Sequence, residues 1–279
     1  MMHPHTIARI TAVLLMAVSL PAAPPLHPAH AAGKKAVIQD AHLYFPDGIG
    51  SRWRYRGKLE ETPLQKIAIN KGYVNTSSVT GTQAIKGVTV KVFHDTNPGN
   101  HGPTDSYYRR DAVGIVYYGS SPGTPVEKQV VPYQIARFPL EVPSSFQQFD
   151  RKQIEFGNDI DGDGANEKVD VEASVTVIGK EPVTAPAGSY QDAIRMEARL
   201  TMRIHLSKSK RVVVGTDVLT AWFARGIGLV KYVEHQEMPP AASDRGWITD
   251  ITEELEEVEI KTAAAITPEE QTPAVAYSH

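Results

Sequence analysis

The residues of this chain best equipped for chemistry are the oxygen side chains of Asn158-Asp159-Ile160-Asp161-Gly162-Asp163-Gly164-Ala165-Asn166-Glu167-Lys168-Val169-Asp170. They read D-x-D-x-D-G-x-x-E, the spacing of a calcium loop. Calcium takes six to eight hard oxygen ligands, and carboxylates at alternate positions can wrap one ion. Counting from Asp159 as position 1, Asp161 is 3, Asp163 is 5, Ala165 offers a carbonyl at 7 and Glu167 is 9. Gly164 permits the sharp turn. Asp170 falls at 12, where a helix–loop–helix hand places its bidentate Glu. Glu167 and Asp170 are therefore rival closing carboxylates. Magnesium fits less well, because it keeps several waters and seldom has an all-protein cage. The competing reading is a solvated acidic turn, since Asp and Gly suit turns without a metal.

The flanking sequence decides what kind of loop this is. Val169, Val171, Ala173, Val175 and Val177 alternate with Asp170, Glu172, Ser174 and Thr176. That is a strand with one dry and one wet face, not the exiting helix of a hand. Ile194, Met196, Ala198, Leu200, Met202, Ile204 and Leu206 repeat the pattern over thirteen residues. Seven apolar residues at period two cannot line one helix face. Further strands are expected at 53–59, 64–74, 82–94, 107–118, 130–138, 211–223, 229–236 and 247–260. Gly72, Gly81 and Gly87 mark turns or bulges. In residues 139–150, either Ser144 caps a short helix over Phe146 and Phe149 or the segment is a loop. The fold class is mainly β, a single curved antiparallel sheet of half-barrel kind with little helix. Val79-x-Gly81-x-Gln83-x-Ile85 echoes Val177-x-Gly179-x-Glu181-x-Val183, which suggests two related β halves.

Other motifs fail on chemistry. Gly119-Ser120-Ser121-Pro122-Gly123 matches a nucleophile elbow. The residue after the inner Ser is Pro122, which has no N–H for an oxyanion hole. The histidines beyond residue 31, His42, His94, His101, His205, His235 and His279, form no close pair at metal-ligand spacing. Gly226-Ile227-Gly228 lacks a third glycine and a following helix. Asp95, Asn97 and Asp105 are weighed as a second cation site, at irregular spacing. Arg52, Arg54, Arg56 and Lys58 alternate with Trp53, Tyr55, Gly57 and Leu59. That cationic ladder either meets an anionic polymer or lipid or is a solvated sheet face.

Composition narrows the classes. The net charge is −3 over 279 residues, so there is no basic field for nucleic acid. There is no Cys, which removes disulfides, thiol catalysis and lipidation at a cleavage-site cysteine. Arg9 precedes the apolar run Ile10–Leu20, and Ala29-His30-Ala31 is a small-x-small cleavage site. This reads as a signal peptide over residues 1–31. The run is too short to span a bilayer, so no stable membrane span is expected after cleavage. A linker at 32–42, one β-rich domain at 43–260 and a disordered tail at 261–279 complete the expected organisation. The address is periplasmic or secreted.

Three segments resemble a group of bacterial envelope proteins. Trp222-Phe223-Ala224-Arg225-Gly226-Ile227-Gly228-Leu229-Val230-Lys231 is similar to their W-[YF]-A-x-G-[IV]-G-[LM]-V-K hairpin. Val183–Tyr190 is similar to V-x-x-P-A-G-[ST]-[FY]. Tyr44-Phe45-Pro46 with Trp53-Arg54-Tyr55 resembles Y-[FL]-P-x-x-x-G-x-x-W-x-Y. These families look like relatives of the lipoprotein-carrier (LolA-like) half-barrels. The resemblance implies a curved sheet cradling an apolar ligand or a covering segment, and it transfers no catalytic residue. The acidic loop looks like an insertion in that scaffold.

The expected function is a non-enzymatic, Ca2+-binding β domain of the cell envelope, holding its ion through Asp159, Asp161, Asp163, Ala165, Glu167 and Asp170. Its partner would be an apolar or lipid-like ligand or an envelope polymer. The alternatives are a lipid or lipoprotein carrier, marked by an open apolar cavity, and an envelope-polymer hydrolase. The hydrolase needs perturbed carboxylates or histidines converging away from 159–170, and the sequence nominates none.

Overall fold

The structure is a computed structural model that describes residues 36–63, 69–97, 102–241 and 246–261. Residues 1–31 of the expected signal peptide, residues 32–35 of the expected linker, His101 and residues 262–279 of the expected tail lie outside the described residues. Among the described residues no helix is long and apolar enough to cross a membrane.

The chain runs through β1 (Ala36–Ile38), a 3-10 turn (Ala41–Tyr44), β2 (Arg52–Pro63), β3 (Ile69–Ile85), β4 (Val88–Asp95), β5 (Thr104–Asp111) and β6 (Gly114–Ser121). The short helix α1 (Pro125–Val130) follows. Then come β7 (Tyr133–Arg137), β8 (Leu140–Val142), β9 (Ser144–Glu155), β10 (Lys168–Ala185) and β11 (Gly188–His205). β12 (Val212–Ala224), β13 (Gly228–Met238) and β14 (Trp247–Glu259) complete the order. Residues 36–38, within the stretch read as a linker, pair with β8.

Twelve strands form one antiparallel sheet in the order β7-β6-β5-β4-β3-β2-β14-β13-β12-β11-β10-β9. Two six-stranded meanders, β2–β7 and β9–β14, are thus joined through β2 and β14. That junction is a backbone ladder from Trp247↔Pro63 to Glu259↔Arg52. The free edges β7 and β9 approach each other on the far side. There the links are side chains: Gln148 Nε2 donates to the Gln134 carbonyl at 3.1 Å, Tyr133 and Phe149 pack at 5.0 Å, and Arg137 lies over Phe146. The curved sheet therefore goes beyond a half-barrel and nearly closes.

Strict alternation builds this sheet. On β11, Ile194, Met196, Ala198, Leu200, Met202 and Ile204 are all buried, while their odd-numbered neighbours from Arg195 to Arg203 are at least partly exposed. The inward residues fill the core, including an aromatic chain from Trp53 through Phe93, Tyr108, Tyr117 and Tyr133 to Phe149.

Three expectations need correction. Residues 69–85 form one strand and are not broken after Val74. The irregularity is a bulge between Val79 and Gly81, and β10 carries its counterpart between Val177 and Gly179. Those are the two echoing segments of the sequence. Residues 144–155 are a strand, neither helix nor loop. A bulge between Ala173 and Ser174 of β10 leaves Gln148 unmatched, so Phe146 and Phe149 both point inward three residues apart. The helix lies earlier, at α1, where Thr124 and Glu127 form a capping box and Pro125 opens the first turn.

Candidate functional site

Two groups of buried carboxylates stand out. The first is the acidic loop between β9 and β10. Its base is closed by Phe156 N–H to the Glu167 carbonyl and Glu167 N–H to the Asn158 carbonyl, both 2.9 Å. Buried Phe156 and Ile160 anchor it in the core. Gly162 (φ +75°) and Gly164 (φ +91°) adopt the left-handed conformation the turn needs.

The Asp159 carboxylate accepts N–H groups of Gly162 at 2.7 Å, Asp163 at 3.3 Å and Gly164 at 2.8 Å. Those bonds, that from Gly164 foremost, hold it below the usual carboxylate range. Glu167 is fully buried. Its Oε1 accepts the N–H groups of Ile160 at 3.3 Å and Asp161 at 3.2 Å, and its Oε2 accepts Ser207 N–H at 3.2 Å. Asp161 is also buried. Its Oδ2 accepts Lys208 N–H at 2.7 Å, while its Oδ1 makes no hydrogen bond.

Carboxylate oxygens of Asp159, Asp161 and Glu167 lie within 4.8 Å of one another. Two buried carboxylates side by side, accepting only neutral N–H groups, repel each other, and a cation between them would relieve that. Hard oxygens gathered round a bare buried oxygen suit a hard cation such as calcium.

The structure thus brings together three of the six expected ligands. Asp163 is turned aside, accepting Ser207 Oγ at 2.6 Å and Ala165 N–H at 2.9 Å. The Ser207 bond is the main reason its carboxyl is held low. Ala165 is exposed at the loop tip, and its N–H is what engages Asp163. Asp170 stands apart from the three. It is the third residue of β10, and alternation sends it to the outer face between buried Val169 and Val171. There it accepts Gln153 N–H at 2.8 Å and meets His205 Nε2 at 3.1 Å. Of the two closing carboxylates, Glu167 is the one whose oxygen lies with those of Asp159 and Asp161.

The second group lies inside the barrel. A cavity of about 240 Å³ is lined by Tyr44, Trp53, Phe93, Tyr108, Leu219 and Phe223 on its apolar side, and by Asn75, Asp95, Glu234 and Glu253 on its polar side. Register explains the meeting. Glu253 on β14 is directly opposite Tyr232 of β13 and Gly57 of β2, and Gly57 is opposite Tyr73 of β3. Gly57 is required: a Cβ there would come within 2.1 Å of the Tyr73 ring.

Burial drives these acids up, Asp95 to about 6 and Glu234 and Glu253 each to about 7. Asp217, buried beside Glu234, is raised well above its ordinary value for the same reason, and the neighbouring Glu234 charge adds to it. Gln236 Nε2 donates to Glu234 at 2.6 Å, and Asn75 Nδ2 donates to Glu253 Oε2 at 3.1 Å.

Nothing in the sequence reading assigned Glu234 or Glu253 a role. A signal was present: each sits in the inward phase of its strand, Glu253 between Ile251 and Leu255 and Glu234 between Tyr232 and Gln236. Asp95 was grouped with Asp105 as a cation loop. The β4–β5 ladder sends them to opposite faces, with Asp105 bound to His94 at 2.7 Å outside.

The other motifs resolve into structure. Ser121, the serine of the elbow pattern, is the exposed last residue of β6 opposite Asp105, and its neighbour Ser120 donates Oγ to Glu127 in the first turn of α1. His205 and His235 pair with Asp170 and Asp250 on the outer face. The cationic ladder of β2 is matched largely by the acidic ladder of β14, with Arg54–Glu256 at 2.7 Å and Arg56–Glu256 at 2.6 Å. Lys58 pairs with Glu60 on its own strand.

No family model matches this sequence, and no curated protein matches it. Two solved structures are similar to it. One, from Bacteroides fragilis, is provisionally described as an exported protein with a YmcC-like fold. It shares 12% identity at a TM-score of 0.34, over 77% of this chain and 98% of that one. The other, from Parabacteroides distasonis, is provisionally described as a lipoprotein. It shares 16% identity at a TM-score of 0.35, over 77% of this chain and 98% of that one. The chain's own geometry therefore carries the functional reading.

Proposed function

We propose that this protein is a non-enzymatic binding protein of the bacterial envelope that takes an apolar or amphiphilic molecule into its barrel. The single observation behind this is the interior cavity, which the protein's own aromatics line but do not fill. Concave, mostly apolar sites with a few convergent polar groups are the usual form of small-molecule pockets. Export is inferred from Arg9, the apolar run Ile10–Leu20 and Ala29-His30-Ala31. Cell fractionation, with a mature N-terminus at Ala32, tests it. The test of binding is titration with a polarity-sensitive fluorescent probe. Ala221→Phe, which adds a ring to the cavity wall, should weaken binding at least about tenfold while the strand spectrum is kept. Unchanged affinity would count against an interior site.

In this reading the acidic loop is a calcium staple for the β9–β10 connection, held by Asp159, Asp161 and Glu167. Support comes from the gathered oxygens and the unpartnered Asp161 Oδ1. Calorimetry on Asp161→Ala should show calcium binding abolished.

Hydrolysis of an envelope polymer is the second reading, favoured by the raised carboxyls of Asp95, Glu234 and Glu253. Turnover of such a polymer, lost in Glu253→Gln, would replace the binding reading with this one.

A further inference from the structure

The polar side of the cavity is unusual in its charge. Apart from Asp47, which is paired with Arg110, three carboxylates, from β4, β13 and β14, face a space walled mostly by apolar and phenolic side chains. Neither cation on the lining serves them. Arg110 is held by Asp47 at 2.5 Å and by the carbonyls of His42 and Phe45. Lys91 is separated from Asp95 by Phe93 on the same strand and, among the described residues, forms no ion pair with the three.

Their donors are few and neutral. Asn75 Oδ1 accepts from Thr96 Oγ1 at 3.0 Å and Asn97 N–H at 2.9 Å. That fixes the amide so that its NH2 faces the acids, donating to Glu253 Oε2 and lying beside Asp95. Glu253 is 1% exposed and its Oε1 makes no hydrogen bond of good geometry, although the Tyr73 and Tyr232 hydroxyls stand alongside. A buried acceptor left bare is costly.

The chemistry of a fitting ligand follows from this. A carboxylate or phosphate head would meet three like charges. A hydrocarbon would leave Glu253 Oε1 unsatisfied. An ammonium supplies N–H donors and positive charge to the carboxylates. Its apolar body would lie against Phe93, Leu219 and Phe223.

We propose that the cavity selects an amphiphile with a protonated amine head, received by Glu253 with Asp95 and Glu234. The proposal rests on the reading of the cavity as a ligand site, and the test separates the two. Octylamine, octanol and octanoate are titrated calorimetrically at pH 8, with calcium in excess to saturate the loop. At that pH the three carboxyls, pushed up to about 6 and about 7, are ionised. Octylammonium should bind at least about tenfold tighter than octanol, as one charge-assisted hydrogen bond would give, and octanoate should be weakest.

Glu253→Gln should abolish that preference and leave octanol binding in place. If that variant fails to fold, Asp95→Asn provides the same comparison. Equal binding of the three probes, tighter octanoate, or a preference that survives both substitutions overturns the amine head and leaves the cavity reading intact. Failure of all three probes to bind overturns the cavity reading itself.

Discussion

The acidic loop and the barrel interior both bury carboxylates, and they do so by opposite means. In the loop, backbone N–H groups of Ile160, Asp161, Ser207 and Lys208 converge on Glu167 and Asp161. Asp159 is held low by bonds of the same kind, and Asp163 by the Ser207 hydroxyl and then the Ala165 N–H. In the interior, most strand N–H groups are committed to the sheet ladder, so side chains such as Asn75 and Gln236 supply the donors to Glu253 and Glu234. Burial then dominates, and Asp95, Glu234 and Glu253 are raised. A turn has spare backbone donors for charge and a strand in mid-sheet has few.

The largest effect that would sharpen this contrast is at Glu167. Glu167→Ala leaves three N–H groups without an acceptor inside the fold and should cost about 3 kcal/mol. Thermal unfolding would read this as a Tm lower by several degrees. A change of under one degree would mean the loop is not integral to the fold.

Next in size is a stabilising change at Glu253. Its folded pKa, about 7, lies above its ordinary value, so the unfolded chain ionises first as pH rises. The folded state is therefore favoured at low pH, loses stability between about pH 4.5 and 7, and levels off above. Glu253→Gln removes that loss and should be more stable than the wild type by on the order of 2–3 kcal/mol at pH 8, with the gap gone near pH 4. Denaturant melts at the two pH values check both sign and size.

The loop has the opposite sign. Asp159 and Asp163 are depressed, so their contribution is present above the ordinary carboxylate range and is lost as pH falls through their folded values. Asp159→Asn should flatten the acid side of the stability curve and leave the alkaline side unchanged. A shift on the alkaline side would break the contrast.

Calcium should act on one region alone. At ten times its Kd it adds about 1.4 kcal/mol by mass action, a rise of a few degrees in Tm. Asp161→Ala should erase that rise, whereas Glu253→Gln should keep it.

The smallest effect is at Asp170. Its pairing with His205 is on the outer face of β10. Asp170→Ala should cost less than about 1 kcal/mol and leave calcium affinity unchanged. A lost calcium response would return Asp170 to the loop.

Legibility in the sequence followed the range of the interactions. β11 and β10 were readable because alternation is a local property, and so was the cap Thr124-Pro125-Val126-Glu127, had it been sought. β9 was not, because its bulge set Phe146 and Phe149 three apart, a spacing that imitates a helix turn. The echo of Val79-x-Gly81 in Val177-x-Gly179 turned out to mark two equivalent bulges, one in each six-stranded meander.

Chain connectivity alone determined that Asp159, Asp161 and Glu167 would share one turn, since nine residues joined by a tight bend cannot place them far apart. It also determined which strand faces are dry. Only the tertiary structure decided that Asp95, Glu234 and Glu253 share a cavity. They are brought together by the register of neighbouring strands from both meanders, and pairing between strands distant in sequence leaves no mark in any short window of it. The same long-range pairing carried the sheet past a half-barrel, through the β2–β14 ladder.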